Sequence, residues 1–301
     1  MDLVMNRRSA LTGLAGVGVG AAALGSCGCQ APPPGGVFGP FSGLGAWTSM
    51  YQWSPTITGT PLVRPSDVAA LSARGVSTLY IQTSRQSGTA SLLDPSTLRR
   101  FVDECHRRSI SVVGWYLPAL TNLDRDLTRL VAMRDVGVDA IGIDIETTNF
   151  DAAERSRRQV LLLERLRQRV GSGMGLGGIV YPPLQLKQTP SIWPNFPWRD
   201  VSRLCDVLLP MSYWTFRRAR APYWDHGYRY TVENFKLFAQ LTGRNGSTIH
   251  SVGGMASDLK AGQAADMARA VAEYRGLGAS LYEWSGTSSR TWTELAPLVR
   301  R

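Results

Sequence analysis

From residue 44 onward, short apolar runs alternate with amphipathic stretches along the chain. This alternation is typical of a parallel sheet whose strands are joined by covering helices. Strands are predicted at 44–51, 77–82, 111–117, 140–145, 175–181, 206–213, 248–253 and 279–284. Helices are predicted near 66–74, 95–108, 124–136, 152–170, 199–204, 231–243, 260–276 and 291–300.

Eight strands and eight helices within about 255 residues match a single (β/α)8 TIM barrel, whose usual size is about 250 residues. A doubly wound open sheet is the alternative, but no glycine-rich phosphate loop follows the first strand. Internal repeats and a mid-chain linker are absent from the sequence, so one domain is expected over 43–301. In such barrels the chemistry lies at the carboxyl ends of the strands.

The first residues have the character of a secretory signal rather than of a folded element. Arg7 and Arg8 precede a mildly apolar stretch, and small residues lead up to Cys27. Residues 1–26 are therefore predicted to be a signal peptide and are excluded from the fold. The arginine pair, followed by Leu11 and a glycine-rich core, resembles a twin-arginine export signal.

Residues 24–27 look like a bacterial lipobox, in which Cys27 would be diacylated and become the new amino terminus. The alternative is an ordinary cleaved signal in which Cys27 and Cys29 are incidental. Residues 27–42 contain a Pro-Pro-Pro-Gly-Gly run, which suits a tether between membrane and domain. The predicted location is the outer face of a bacterial cytoplasmic membrane, with the lipid anchor as the membrane contact.

The chain is basic, with 33 lysines and arginines against 23 acidic residues and a net charge of +10. Thirty of the basic residues are arginine; without residues 1–26, 31 basic and 22 acidic residues remain. Positive charge favours anionic surroundings such as lipid head groups or wall polymers. The arginines are scattered and no nucleic-acid module is present, so no nucleic-acid partner is expected, and a monomer is predicted.

The fourth predicted strand carries the most informative chemistry. Side chains alternate along a strand, so Gly142, Asp144 and Glu146 share the face that points into the barrel. Two carboxylates at the catalytic end of an apolar strand are costly to bury, and their crowding is expected to raise the pKa of one of them, as general-acid catalysis needs. Ion pairs with arginines at the barrel rim are the alternative role.

Aromatic residues gather at several predicted strand ends. Such rings suit the apolar face of a sugar, although a single ring is more often packing. The sixth strand places Met211 and Tyr213 on one face, and the eighth places Tyr282 and Trp284 on one face. Further rings at strand ends are Trp47, Trp53, Trp115 and Trp214.

These motifs resemble those of the chitinase family, glycoside hydrolase family 18. Residues 139–146 are similar to its D-x-x-D-x-D-x-E signature, residues 211–213 to its M-x-Y, and Trp284 to the tryptophan beneath its sugar subsite. The resemblance spans roughly residues 44–300. It implies that Glu146 protonates the glycosidic oxygen. It also implies that Asp144 orients an N-acetyl group acting as internal nucleophile, an exception to the two-carboxylate scheme.

By the same resemblance, Tyr213 would hydrogen-bond the acetamide carbonyl and Trp284 would support the sugar ring. The substrate would then be a carbohydrate polymer or oligosaccharide, and no cofactor is implied. Two positions depart from the pattern: Gly142 stands where the signature has its middle acid, and Trp214 where an aspartate follows M-x-Y. The chain would then cleave a different glycan, bind without cleaving, or belong to a more distant glycosidase-like family.

Other chemistry is weaker. The three histidines, at 106, 226 and 250, lack metal-ligand spacing, so no metal site is expected. Cys105 and Cys205 are predicted to be buried free thiols. Asp258 and Glu283 are alternative second carboxylates for a two-acid glycosidase. A barrel acting on anionic lipids or phosphate esters through its arginines is a third hypothesis, but it would need a metal or a phosphate nest that the sequence lacks.

Overall fold

The computed structural model describes residues 36–218, 222 and 224–299. Its eight strands are β1 Gly43–Thr48, β2 Thr78–Gln82, β3 Ser111–Tyr116, β4 Ala140–Ile145, β5 Gly175–Val180, β6 Val207–Pro210, β7 His250–Met255 and β8 Gly278–Tyr282. Its α-helices are α1 Met50–Trp53, α2 Pro55–Thr58, α3 Val68–Ala73, α4 Pro95–His106, α5 Leu123–Ala132, α6 Ala152–Val170, α7 Pro183–Gln188, α8 Trp198–Leu204, α9 Gly227–Thr242, α10 Gln263–Glu273 and α11 Ser289–Leu295. The predicted signal peptide, lipobox and Cys27 lie outside the described residues.

The strands form one parallel sheet in the order β6-β5-β4-β3-β2-β1-β8-β7. The two ends of this order meet through single parallel bridges that join Leu208 to Ile249 and Met211 to Val252. The backbone amide of Ser212 also donates to the carbonyl of Val252 at 2.7 Å. The sheet therefore closes nearly completely, and the predicted (β/α)8 barrel is confirmed.

Three strands end two or three residues earlier than predicted, each for a local reason. After β1, residues 50–53 turn into α1. After β6, Met211 keeps a single bridge, residues 212 and 213 are no longer in the strand, and a 3-10 turn begins at Trp214. After β8, the segment Trp284–Gly286 forms another turn. Face alternation holds only while the chain is extended, so side-chain directions beyond these ends were not predictable from parity.

The barrel has an inner core and an outer core. The outer core lies between strands and helices and is mainly aliphatic, as expected for strands buried on both faces. The inner core is unusually aromatic. Its residues are Phe41, Trp47, Tyr80, Val113, Trp115, Ala140, Ile179, Val207, Leu209, Met211, Val252 and Leu277.

The amino ends of the strands are closed by residues 36–42, which the sequence analysis assigned to the tether. The segment Gly36–Phe41 forms a 3-10 turn, and Phe41 is fully buried in the inner core. A Cβ at Gly175 or Gly177 would come within 3.0 or 2.6 Å of the Phe41 ring, so the two glycines make room for it. Residues 36–42 therefore pack as part of the barrel's closed end.

The long segment 182–198 covers the outer side of the barrel. Trp193 is buried and donates through its indole nitrogen to the Ser156 hydroxyl at 2.8 Å. The backbone amide of Leu184 donates to the Asn234 side chain at 2.9 Å. These contacts tie the segment to α6 and α9. Among the described residues no helix is both long and apolar enough to span a membrane.

Candidate active site

The mouth of the barrel is formed by the residues that follow each strand at its carboxyl end. Asp144, inside β4, is 7% exposed there, and Glu146 follows directly with a partly exposed side chain. The carboxyl ends of parallel strands share one rim, so both acids lie where barrel chemistry is placed. The structure thus has both predicted acids at the mouth, one nearly buried and one partly exposed.

Tyr181 is a neighbour of this pair that the sequence analysis missed. It follows β5, is buried, and its hydroxyl donates to the backbone carbonyl of Glu146 at 3.3 Å. Burial raises the pKa of the Tyr181 phenol, and the negative charges of Glu146 and Asp144 raise it further. Tyr181 is therefore a neutral hydrogen-bond donor held against the acid pair. The predicted barrel places β4 next to β5, and this adjacency could have suggested that a residue after β5 lies near the acids of β4.

Arg155 holds the next peptide of the same loop. Its Nη1 donates to the carbonyl of Thr147 at 3.1 Å and its Nη2 to the carbonyl of Ile192 at 3.0 Å. The guanidinium also lies 4.2 Å from the ring centre of Trp193. The carbonyls of Glu146 and Thr147 thus each accept a hydrogen bond from a buried side chain, Tyr181 or Arg155. These bonds restrict the backbone that carries Glu146.

Gly142 lies on the inward face of β4, directly beside Trp115 of β3 in the strand register. A Cβ at residue 142 would lie 3.0 Å from the Cβ of Trp115 and 3.2 Å from the Cδ1 of Ile179. A side chain at residue 142 would therefore crowd both Trp115 and Ile179. Asp139 lies at the opposite end of β4, where it accepts from the amide of Val112 and contacts His106.

Aromatic side chains form the floor of the mouth. Trp47 stacks on Tyr80 with ring centres 4.3 Å apart, and it lies 5.9 Å from Trp115 and 6.4 Å from Tyr282. Tyr282 in turn lies 6.3 Å from Tyr213. Tyr213 and Tyr282 are partly exposed, whereas Trp47 and Trp115 are nearly buried beneath them. The predicted residues Trp47, Met211, Tyr213, Trp115 and Tyr282 thus lie together in or against the inner core.

Two predicted sugar-binding rings lie elsewhere. Trp214 is 0% exposed, so its ring presents no surface to the mouth in this structure. Its indole packs over three glycines, where an added Cβ would come within 2.6–3.3 Å of it: Gly227, Gly253 and Gly254. Trp284 packs against the outer core, because the chain turns directly after Tyr282. Tyr282 therefore takes the place in the mouth that was expected for Trp284.

The rim of the mouth carries exposed aromatic rings that the sequence analysis did not select. Tyr51 is 42% exposed after β1, Phe150 is 40% exposed after β4, and Phe216 is 36% exposed after β6. Phe216 lies 5.9 Å from Tyr213, so it extends the floor toward solvent. Exposed rings around a mouth indicate ligand contact more strongly than exposed rings scattered elsewhere.

The alternative second carboxylates differ in their surroundings. Glu283 accepts a hydrogen bond from the amide of Ser49 at 3.2 Å and another from Gln52, so it ties the end of β8 to the end of β1. In the sheet, β8 and β1 lie opposite β4 across the barrel. Asp258 is exposed and accepts from the Ser257 hydroxyl. A structural role at the rim suits Glu283 better than one beside Glu146.

A buried polar cluster supports the loops after β2 and β3. Arg129 and Asp126 are each 1% exposed. The Tyr116 hydroxyl donates to Asp126 at 2.7 Å and accepts from Arg129 at 2.9 Å. Arg129 also donates to the carbonyls of Gln86 and Gly88, and the amide of Leu120 donates to Asp126. The cluster therefore anchors two loops that border the mouth.

Nucleophilic and metal chemistry have little support. Cys105 and Cys205 are buried free thiols, as predicted, and burial raises the pKa of each to about 12. They are protonated at neutral pH. Within residues 36–218 and 224–299 no group of three His, Cys, Asp or Glu side chains is placed to hold a metal ion.

No protein-family model matches the chain, and no curated protein matches it either. Solved structures do resemble it. The spore cortex-lytic enzyme SleL of Bacillus cereus is 12% identical, with a TM-score of 0.61 over 86% of this chain and 74% of that one. A chitinase from Bacteroides thetaiotaomicron is 11% identical, with a TM-score of 0.61 over 86% of this chain and 95% of that one.

A plant class V chitinase mutant from Cycas revoluta, solved in complex with (GlcNAc)3, is 10% identical. Its TM-score is 0.63 over 85% of this chain and 99% of that one. At these identities the likeness establishes a shared barrel fold. The chemistry has to be argued from the mouth itself.

Proposed function

We propose that the chain is an exported glycoside hydrolase that cleaves an N-acetylated or other cell-wall glycan, with Glu146 as the general acid. The observation that carries this proposal is the placement of Asp144 and Glu146 beside a floor and rim of aromatic rings at one barrel mouth. Barrels with chitinase and cortex-lytic activity share the fold. Those activities belong to the similar proteins and serve here as support by analogy.

In the proposed reaction a sugar ring rests on Tyr282 and Tyr213. Glu146, the more accessible acid, donates a proton to the glycosidic oxygen as the bond to the anomeric carbon breaks. Asp144 orients the acetamide, whose carbonyl oxygen attacks the anomeric carbon. Water then opens the resulting ring intermediate, and Glu146 recovers its proton from that water. Tyr181 and Arg155 hold the backbone that carries Glu146.

The test incubates the protein with N-acetylated oligosaccharides, plain oligosaccharides and cell-wall fragments, and reads the products by mass spectrometry. Glu146→Gln and Asp144→Asn are assayed in parallel, with thermal unfolding as a control for the fold. We expect cleavage of an N-acetylated substrate and a loss of roughly 10²–10⁴-fold in Glu146→Gln. Cleavage that is equal in wild type and Glu146→Gln would contradict the proposal.

A non-catalytic glycan-binding protein is the second candidate, and one observation favours it. Gly142 stands where the resembled signature has its middle acid, and a side chain there would crowd Trp115 and Ile179, so one carboxylate of that signature is absent. This alternative expects glycan binding by titration calorimetry without products. It also expects equal affinity for wild type and Glu146→Gln to within about twofold, because exchange of a carboxylate for an amide keeps the shape.

Export and lipidation are proposed from the sequence alone. Lipidation at Cys27 predicts incorporation of radiolabelled palmitate in a bacterial host, and Cys27→Ser predicts its loss and release of the protein from the membrane. Cys29→Ser is the matched control and retains the label. Replacement of Arg7 and Arg8 by lysine is expected to retain the precursor in the cytoplasm. Label that persists in Cys27→Ser would contradict the assignment.

A further inference from the structure

The end of the barrel opposite the mouth is called the lower face; it consists of the seven connections that lead from a helix to the next strand. Each connection, counted from the last turn of its helix, carries at least one arginine. The residues are Arg74, Arg107, Arg108, Arg134, Arg167, Arg169, Arg203, Arg244 and Arg275. Val299 lies against Gly75 on this face, and two more arginines follow it in the sequence.

Part of this charge is used inside the protein. Arg244 donates to the carbonyls of Cys205 and Asp206, and Arg167 pairs with Asp206 at 2.7 Å. Arg107 and Arg108 share Glu104. Cations also suit helix carboxyl ends because of the helix dipole, which is a purely intramolecular reason for their presence.

A second group of arginines has no such internal use. Arg134, Arg169 and Arg275 are exposed, and none of them forms an ion pair with any described residue. Arg74 is also exposed, and among the described residues its side chain hydrogen-bonds only to the Ser289 hydroxyl, at 3.5 Å. The acidic side chains nearby are already engaged: Glu104, Asp139, Asp206 and Asp200 contact arginine or histidine, and Glu273 accepts from Tyr228. Asp103, in the last turn of α4, and Asp135, beside Arg134, are exceptions: both are exposed and neither forms an ion pair with a described residue.

The chain also enters the barrel at this end. Phe41 closes the amino ends of the strands, and its carbonyl accepts from Nδ1 of His250 at 2.7 Å. Cys27 precedes Gly36 by nine residues, which span at most roughly 30 Å when extended. An anchor at Cys27 would hold the lower face near the membrane and raise the local concentration of head groups around it.

We propose that the lower face is a docking surface for anionic phospholipid head groups, which turns the mouth away from the membrane and toward the wall. The proposal rests on the anchored location proposed above, but not on glycan cleavage. Its ligand is the phosphate diester of an anionic lipid, met by exposed guanidinium groups that have no internal partner. Guanidinium forks match phosphate geometry well.

The test uses the mature chain with Cys27→Ser and Cys29→Ser, so that no acyl chain contributes. Its co-sedimentation is measured with vesicles of phosphatidylcholine alone and of phosphatidylcholine with phosphatidylglycerol. We expect binding only to the anionic vesicles and weaker binding at higher salt. Arg134→Gln, Arg169→Gln and Arg275→Gln together should weaken it about 100-fold, since each cation near an anionic surface contributes roughly a factor of five.

The control triple carries the same charge change on the mouth side: Arg125→Gln, Arg218→Gln and Lys260→Gln. It should change vesicle binding less than about twofold. Equal losses in both triple variants would attribute vesicle binding to net charge and overturn the proposal. Equal binding to neutral and anionic vesicles, or no binding to either, would overturn it as well. Binding to a soluble anionic wall polymer but not to vesicles would also overturn it. Glycan cleavage by both triple variants is measured separately. A failure of the proposed glycan cleavage can therefore be told apart from a failure of the proposed lipid docking.

Discussion

At the scale of single residues, the mouth shows how one small side chain determines what its neighbours can do. Gly142 leaves room for Trp115, whose ring lies beneath the mouth near Trp47. An acid at residue 142 would need that space. The residue at position 142 is therefore sterically coupled to Trp115 on the adjacent strand, because a side chain at 142 would displace it.

This coupling predicts that Gly142→Ala lowers the free energy of unfolding by about 1–3 kcal/mol, because overpacking displaces Trp115 or Ile179. Gly173→Ala is the matched control: nothing lies within 4 Å of a Cβ at that residue, so little change is expected. Urea unfolding followed by tryptophan fluorescence measures both. Equal stability of the two variants would show that the packing around residue 142 is loose.

Tyr181→Phe tests the hydrogen bond to the Glu146 carbonyl. The variant should lower kcat about tenfold with KM nearly unchanged, because a small displacement of a catalytic group costs rate rather than affinity. Loss of one buried hydrogen bond should also cost about 1 kcal/mol of stability. Tyr274→Phe, remote from the mouth, is the control. A change in KM alone would show that Tyr181 contacts substrate instead of positioning the acid.

At the scale of elements, the loops around the mouth are held by side chains from the helices behind them. Arg129 and Asp126 of α5 bond the loops after β2 and β3, and Arg155 of α6 bonds the loops after β4 and β5. Arg158, also in α6, donates to the carbonyl of Leu120 at 2.8 Å. Helices that cover the sheet therefore also define the rim.

The Asp126 carboxyl makes this support pH-dependent. Burial raises its pKa above the ordinary 3.8, despite hydrogen bonds from Tyr116 and Leu120 that lower it. The folded protein thus holds this proton more tightly than the unfolded chain. That contribution to stability is fully present below pH 3.8 and is lost as pH rises through the raised, folded pKa.

We therefore expect the difference in free energy of unfolding between wild type and Asp126→Asn to shift in favour of the variant as pH rises from 3.8 through the raised pKa of Asp126. Urea unfolding of both proteins across a pH series measures it. Other carboxylates titrate equally in the two proteins and cancel in the difference. Parallel stability curves over the whole series would contradict the assignment of the raised pKa to Asp126.

At the scale of the whole molecule, the two ends of the barrel differ in chemistry. The mouth combines carboxylates with exposed rings, and the lower face combines a closing phenylalanine with exposed arginines. This polarity suits a protein held at one end and acting at the other. The net charge of +10 is a total over the whole sequence and does not show how charge is distributed between the two ends.

The rim rings predict a preference for long substrates. Tyr51→Ala should raise KM for long oligosaccharides about fivefold and leave short ones unaffected, because Tyr51 follows β1, across the barrel from Glu146. Leu241→Ala, an exposed apolar residue on α9, is the control. Kinetics on an oligosaccharide length series measure the effect. An equal rise in KM for all lengths would place Tyr51 in the central binding site.

The local pattern was enough to predict the number and type of the strands, the barrel, and the inward face of Gly142 on β4. Each of these depends on hydrophobic periodicity within a few residues. The pattern failed where the chain leaves the strand, as at Trp214 and Trp284, because alternation has no meaning in a turn.

Only the tertiary structure decided the rest. Tyr181 meets the loop of Glu146 because β4 and β5 are neighbours, and Tyr282 rather than Trp284 reaches the mouth because the chain turns after β8. Residues 36–42 close the barrel because Gly175 and Gly177, far along the chain, leave space for Phe41. These outcomes depend on contacts between residues remote in sequence, and packing at that range leaves no periodic signal in the sequence.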